Sequence, residues 1–264
     1  MVRTLLIRGM LVGVVAAVLA FVVAKILGES QVGHAIAFES AHEVAQTAHE
    51  PEPVSRTVQS TIGLFTGLLV FGVAIGGLFS LAYACAQGRL GALRARATAG
   101  LVALAGFVGV YLLPDLKYPA NPPAVGNPDT LGERTSLYFS MMLISLAVVI
   151  SGCVAARRLA PRFGGWDAAL LSAAGGLVVV GLAYYVLPRV HETPEGFPAD
   201  VLWRFRIASL TIHATVWATV GLLFGALTER ANRTVPAVPP APVPTLAGER
   251  PMASSGGSPV ATGA

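Results

Sequence analysis

Three of the five histidines in this 264-residue chain crowd into one stretch, Gln31 to Glu50, together with Glu39, Glu43 and Glu50. Imidazole nitrogen and carboxylate oxygen in combination suit a borderline divalent cation such as Co²⁺, Ni²⁺ or Zn²⁺. The Ala, Glu and Gln content predicts a helix as far as Pro51. On it Glu39, His42, Glu43, Gln46, His49 and Glu50 share one face, at spacings of three and four. His42 and His49 then stand two turns apart, about 10 Å. They cannot share one ion without a third group or a bend, so the pattern suits a weak capture surface. A plain solvated polar face is the competing reading. His191, in a later loop, is a further candidate ligand.

His213 is of another kind. It is the only titratable polar residue well inside an apolar run, roughly 15 Å from that run's outer end. Ionisable groups at such depth are costly and by default mark a pathway; the alternative is a neutral imidazole bonded to a neighbouring helix. Thr211, Thr215 and Thr219 lie near it in sequence, and only some can share its face. Met141 and Met142 are soft ligands better matched to Cu(I) than to Co²⁺, or simple packing residues. No Asp, Glu, Lys or Arg is expected deep in any span, which argues against a buried carboxylate relay. The sequence holds no phosphate loop, no GxGxxG after a strand, no HExxH and no nucleophile elbow. An enzyme is not expected.

The elements that must position these residues follow from composition. The chain is 54% hydrophobic and 12% charged, against about 25% charged in soluble domains, and its mean hydropathy is +0.68. Six apolar runs are each long enough to cross a bilayer: 5–26, 58–83, 97–113, 135–155, 168–187 and 207–227. Arg8 and Lys25, in the first run, can snorkel to the interfaces. Basic loops (Arg89, Arg94, Arg96; Arg157, Arg158, Arg162) alternate with loops that carry the acids and histidines. The positive-inside rule then puts both termini in the cytoplasm and the His-bearing loops outside. The fold expected is all-α and polytopic, six transmembrane helices in three in-out-in hairpins, over residues 1–230. The first helix is expected to stay uncleaved. A Pro/Ala/Ser/Gly-rich cytoplasmic tail, 231–264, is expected to be disordered. The net charge of +4 sits in interhelical clusters and forms no basic stripe, so nucleic acid is excluded as a partner. The lipid bilayer is the expected surroundings, and an oligomer is compatible with the pattern. Trp203 fits the outer interfacial belt and Trp166 the inner one. Gly9/Gly13, Gly63/Gly67, Gly72/Gly76 and Gly221/Gly225 are candidate close-approach pairs between helices. Cys85 and Cys153 show no disulfide or zinc spacing and read as inert packing thiols.

Two helix ends are alike. Tyr111-Leu-Leu-Pro114 and Tyr185-Val-Leu-Pro188 each lead into a Pro-rich loop with Gly-x-Pro (Gly126 and Pro128; Gly196 and Pro198), then an Asp, then an Arg opening the next helix. Pro114 and Pro188 read as helix stops. Either an in-out-in hairpin is repeated, or Tyr and Pro recur as interface grammar.

These residues resemble the CbtA-type cobalt transporter subunit family. The resemblance rests on the basic N-terminus leading straight into a Gly/Ala/Val/Leu helix and on the acidic, His-bearing first loop. It rests most on Leu113-Pro114-Asp-Leu-Lys117-Tyr118-Pro119-Ala-Asn121-Pro122-Pro123-Ala-Val-Gly126, and on Gly196-Phe197-Pro198-Ala-Asp200-Val-Leu202-Trp203. It covers roughly residues 1–230. It implies a bacterial inner-membrane subunit for cobalt uptake that supplies cobalamin synthesis. It also implies a very small, single-span, His-bearing partner subunit. Co²⁺ would be cargo, with no cofactor bound permanently. No ligand set comes with the resemblance; the metal role of Glu39, His42, Glu43, His49, His191 and His213 rests on their chemistry. The motif suggests a structural role for Pro119, Pro122, Pro123 and Gly126, in a rigid outer loop that could cap a pore. A membrane scaffold that moves nothing, and a permease for a neutral organic solute, are the rival functions.

Overall fold

The computed structural model describes residues 2–43, 54–91, 93–123, 125–126, 130–190 and 193–233, with His42 and Glu43 described in their backbone only. Among the described residues the regular structure is all helical. Six helices are long and apolar enough to cross a membrane: α1 (Val2–Ala41), α2 (Arg56–Ala86), α3 (Ala95–Lys117), α4 (Leu131–Phe163), α5 (Gly165–Val186) and α6 (Ala199–Arg233). Each takes up one of the six apolar runs. The tail beyond Arg233 lies outside the described residues.

Close packing joins α1 to α2, α3 to α6, α4 to α5, and α1 to α6. The main core lies among α1, α2, α3 and α6, where Val12, Ala16, Phe79, Tyr83, Val220 and Phe224 are buried. Small residues allow it. A methyl group on Gly9, Gly13, Gly72 or Gly76 would strike backbone of the facing helix, and one on Gly221 would strike Ala103. Gly63 and Gly67 are different: a methyl at Gly67 meets nothing within 4 Å, and one at Gly63 meets only its own helix. Among the described residues, that Gly pair is therefore not a contact between helices.

The α4–α5 pair turns at Gly164, whose φ of +84° is a conformation that L side chains rarely adopt. Much of its apolar surface is exposed, including Leu143, Leu177, Val178 and Leu182, as lipid-facing residues would be. The fifth and sixth spans, which flank the last predicted outer loop, make at most marginal contact with each other. Trp166 and Trp203 are both exposed near helix starts. Cys85 and Cys153 are free and exposed, so they are surface thiols and not the packing thiols expected.

Among the described residues, three helices contain a π-helical turn: Ala24–Gly28, Gln59–Gly63 and Phe107–Leu112. The third changes the reading of Pro114. This proline does not stop the helix, which continues to Lys117. The wider turn before it shifts the hydrogen-bond ladder, and Pro114 falls at the first positions of the next α turn, where a missing N–H is tolerated. Pro188 does follow a helix end, at Val186. The two similar sequences also differ in burial: Tyr111 is 4% exposed and Tyr185 is 88% exposed.

On α1, helical backbone runs past the bilayer-length portion to Glu43, the first part of the helix predicted for this stretch; its continuation toward Pro51 lies outside the described residues. At about 1.5 Å per residue, α1 is close to twice the roughly 30 Å of a hydrocarbon core. Its far end packs on the loops: Ala35 and Phe38 meet Val125, Phe197 and Val201, with the Phe38 and Phe197 rings 5.0 Å apart. Glu29 pairs with Arg56 at the start of α2.

Candidate functional site

A cavity of about 310 Å³ opens where α3, α4 and α6 converge, lined by Tyr111, Asp115, Arg134, Tyr138, Ser209 and His213 among others. The π-helical turn brings Tyr111 to it, and the continuation of α3 past Pro114 brings Asp115. A carbonyl freed in that turn, Gly109 O, accepts a hydrogen bond from buried Ser145 on α4. The His213 ring lies flat on the Tyr111 ring, 3.7 Å between centroids and 10° between planes. Phe71 of α2 meets it edge-on at 5.7 Å.

The tautomer of His213 follows from its partner. Nδ1 lies 3.0 Å from the Ser209 carbonyl oxygen. A carbonyl only accepts, so Nδ1 carries the hydrogen, and in the neutral imidazole Nε2 then keeps a lone pair. The Tyr111 hydroxyl lies 3.1 Å from Ser209 Oγ and within reach of the Asp115 carboxylate. Asp115 Oδ1 accepts from the Ala120 backbone N–H at 3.2 Å. The cavity thus offers one imidazole nitrogen, one carboxylate and several hydroxyls. Among the described residues, no group of three or more His, Cys, Asp or Glu comes together to hold a metal ion.

The loop after α3 is strapped across this end of the bundle. Arg134 Nη2 donates to Pro119 O at 2.9 Å. Arg206 donates from Nε to Ala120 O at 3.3 Å and from Nη2 to Asn121 Oδ1 at 3.1 Å. Pro122 is fully buried and its carbonyl accepts from Val125 N at 3.2 Å. Pro123 and Pro198 are exposed, and Gly126 takes a φ of +148°. The ends of α3 and α5 are also tied together. Lys117 Nζ donates to Tyr184 O (2.7 Å) and Leu187 O (3.0 Å), and the Tyr118 hydroxyl donates to Pro188 O at 2.8 Å. Burial, aided by Glu133, pushes the Tyr118 phenol up from its ordinary range, so it stays a donor.

Among the described residues, the candidate metal residues are not brought together. His213 lines the cavity. Glu39 is half-buried on the far end of α1, and His42 and Glu43 continue the same helical backbone. His49 and His191 lie outside the described residues. Thr211 and Thr215 bond to carbonyls of their own helix, and neither lines the cavity. Met141 packs fully buried against Tyr118 and Val180. Arg8 is half-buried, and its guanidinium donates to Thr228 on α6 at 2.9 Å.

Asp115, Tyr111, Tyr138 and Ser209 are the residues that pattern reading passed over. Asp115 counts as a loop residue if Pro114 ends the helix; because it does not, a carboxylate joins His213. The signal that was present is the Tyr-x-x-Pro sequence itself, whose tyrosine is the ring stacked on His213.

Six helices long and apolar enough to span a membrane, with a small cavity toward one end of the bundle, are the architecture of a polytopic membrane protein. The chain belongs to the CbtA family, described as a probable cobalt transporter subunit, whose model matches residues 2–229. That family is one of transporter subunits and not of enzymes, and the word subunit implies a partner. No curated protein and no solved structure matches the chain.

Proposed function

We propose that this chain is the membrane-spanning subunit of a cobalt uptake system of a bacterial inner membrane. Its six spans form three in-out-in hairpins with both termini in the cytoplasm, and the metal serves cobalamin synthesis. The His/Glu-bearing extension of α1 collects Co²⁺ outside, and the cavity of His213 and Asp115 passes it inward beneath the strapped loop. One observation carries this reading: in a chain of this family, an imidazole with an available nitrogen and a carboxylate line one cavity between helices. Such a pair suits a borderline divalent ion in transit. Water, or histidines of a small single-span partner subunit, complete its coordination.

The test is radiolabelled cobalt uptake in cells with and without the protein, the partner co-expressed. Uptake is expected only with both. His213→Ala and Asp115→Asn should each lower it several-fold at unchanged protein level. Equal uptake with and without the protein sinks the reading. Unchanged uptake in both variants moves the path away from this cavity.

A further inference from the structure

Beside the first cavity, at the same end of the bundle, lies a second cleft of about 430 Å³. Its walls carry Lys117, Arg134, Arg189 and Arg206, and no Asp or Glu among the described residues. The partners that hold two of these side chains are neutral. Lys117 is held by carbonyls of the α5 C-terminus, and Arg206 by a loop carbonyl and the Asn121 amide oxygen. Hydrogen bonds of this kind fix the position of a cation without cancelling its charge. Arg189 is exposed, has no hydrogen bond among the described residues, and repels Lys117.

Several features offset part of this charge, among them Glu133, which acts on the cleft-lining Tyr118. Asp115, across in the neighbouring cavity, attracts Arg206. The α5 C-terminus supplies about half a negative charge beside Lys117. Arg189, which lines the cleft without an anionic partner among the described residues, remains. A bare divalent cation is repelled from such a cleft, so this is not the metal's doorway. Planar guanidinium forks beside an ammonium match the oxygens of a phosphate group.

We propose that this cleft binds a phosphate-type oxyanion, held chiefly by Lys117, Arg189 and Arg206. Two sources supply that chemistry: free inorganic phosphate, and the headgroup of an anionic phospholipid. The exposed apolar Tyr185 and Val186 just before the cleft-lining Arg189 put a lipid within reach.

The experiment uses the full-length protein and has two arms. In phosphatidylcholine nanodiscs, radiolabelled inorganic phosphate is titrated by scintillation proximity. In nanodiscs containing phosphatidylglycerol, native mass spectrometry counts the lipid retained. One arm or the other should show saturable binding. Arg189→Gln should weaken it several-fold and Arg206→Gln about tenfold, as expected for lost charge-assisted hydrogen bonds. Arg157→Gln, an exposed cation far along α4, should bind as the native chain does. Because Arg206 also holds the loop, Arg189→Gln decides the matter if Arg206→Gln misfolds. The proposal is overturned if neither ligand binds, or if Arg189→Gln binds as tightly as Arg157→Gln. Neither arm involves cobalt, so this result and the metal reading stand or fall separately.

Discussion

Substituting Gly72 by Ala tests the crossing of α1 and α2, which also carries Phe71 to the edge of His213. A methyl built there lies 2.5 Å from the Gly13 carbonyl oxygen and 2.9 Å from Ala17 Cβ. A carbon meets a carbonyl oxygen comfortably at about 3.3 Å or more, so the helices must part by about 0.8 Å. Neither obstacle can rotate away, since one is backbone and the other a methyl rooted on it. A gap of that size forfeits about a quarter to a half of the dispersion energy along the seam, and overpacking of this kind costs roughly 1–3 kcal/mol. Gly→Ala also raises helix propensity by up to about 1 kcal/mol, which masks part of the loss. Gly67→Ala is the matched control, with the same helix, the same propensity gain, and nothing within 4 Å. The difference between the two variants isolates the crossing, at about 2 kcal/mol. For a chain of this size that is about 4–8 °C in melting temperature. Intrinsic tryptophan fluorescence in detergent reads it directly. Two variants that melt within a degree of each other would refute the reasoning, and with it the close approach of α1 to α2.

Other outcomes follow from the same geometry. Lys117→Met removes two charge-assisted bonds to the end of α5; a loss of about 2 kcal/mol is expected, with faster hydrogen exchange in α5 and little change in α1. Topology is open to cysteine labelling on a background lacking Cys85 and Cys153. With an impermeant maleimide on whole cells, Glu195→Cys should react and Arg89→Cys should not; the reverse pattern would invert the proposed orientation. Thr228→Val strips the acceptor from Arg8 and leaves a half-buried guanidinium without that partner. It should lower thermal stability by about 1–2 kcal/mol, and a neutral result would mean that Arg8 reaches water.

Much of the architecture was legible because a bilayer imposes simple rules. Every backbone polar group in hydrocarbon must be bonded internally, so a long apolar run must be a helix. Six runs became six helices, and the Gly9/Gly13 and Gly72/Gly76 pairs became a seam. Gly63/Gly67 carries the same spacing and makes no such contact, because spacing alone does not say which face meets a neighbour. The candidate site was half legible. His213 stands out because an ionisable group in a span is rare. Asp115 was hidden by Pro114, a helix stop on its own and a tolerated first-turn residue once a π-helical turn precedes it.

The amino-acid sequence by itself therefore determined the number of apolar spans, the alternation of charge between loops and the family. Those depend on local hydropathy and on charge counted along the chain. Only the tertiary structure decided that Tyr111, Asp115 and His213 share a cavity, and that four cations line a neighbouring cleft. It also decided that Tyr111 is buried while Tyr185 lies open. Which faces turn toward each other is set by packing summed over several helices, and no single segment encodes that sum.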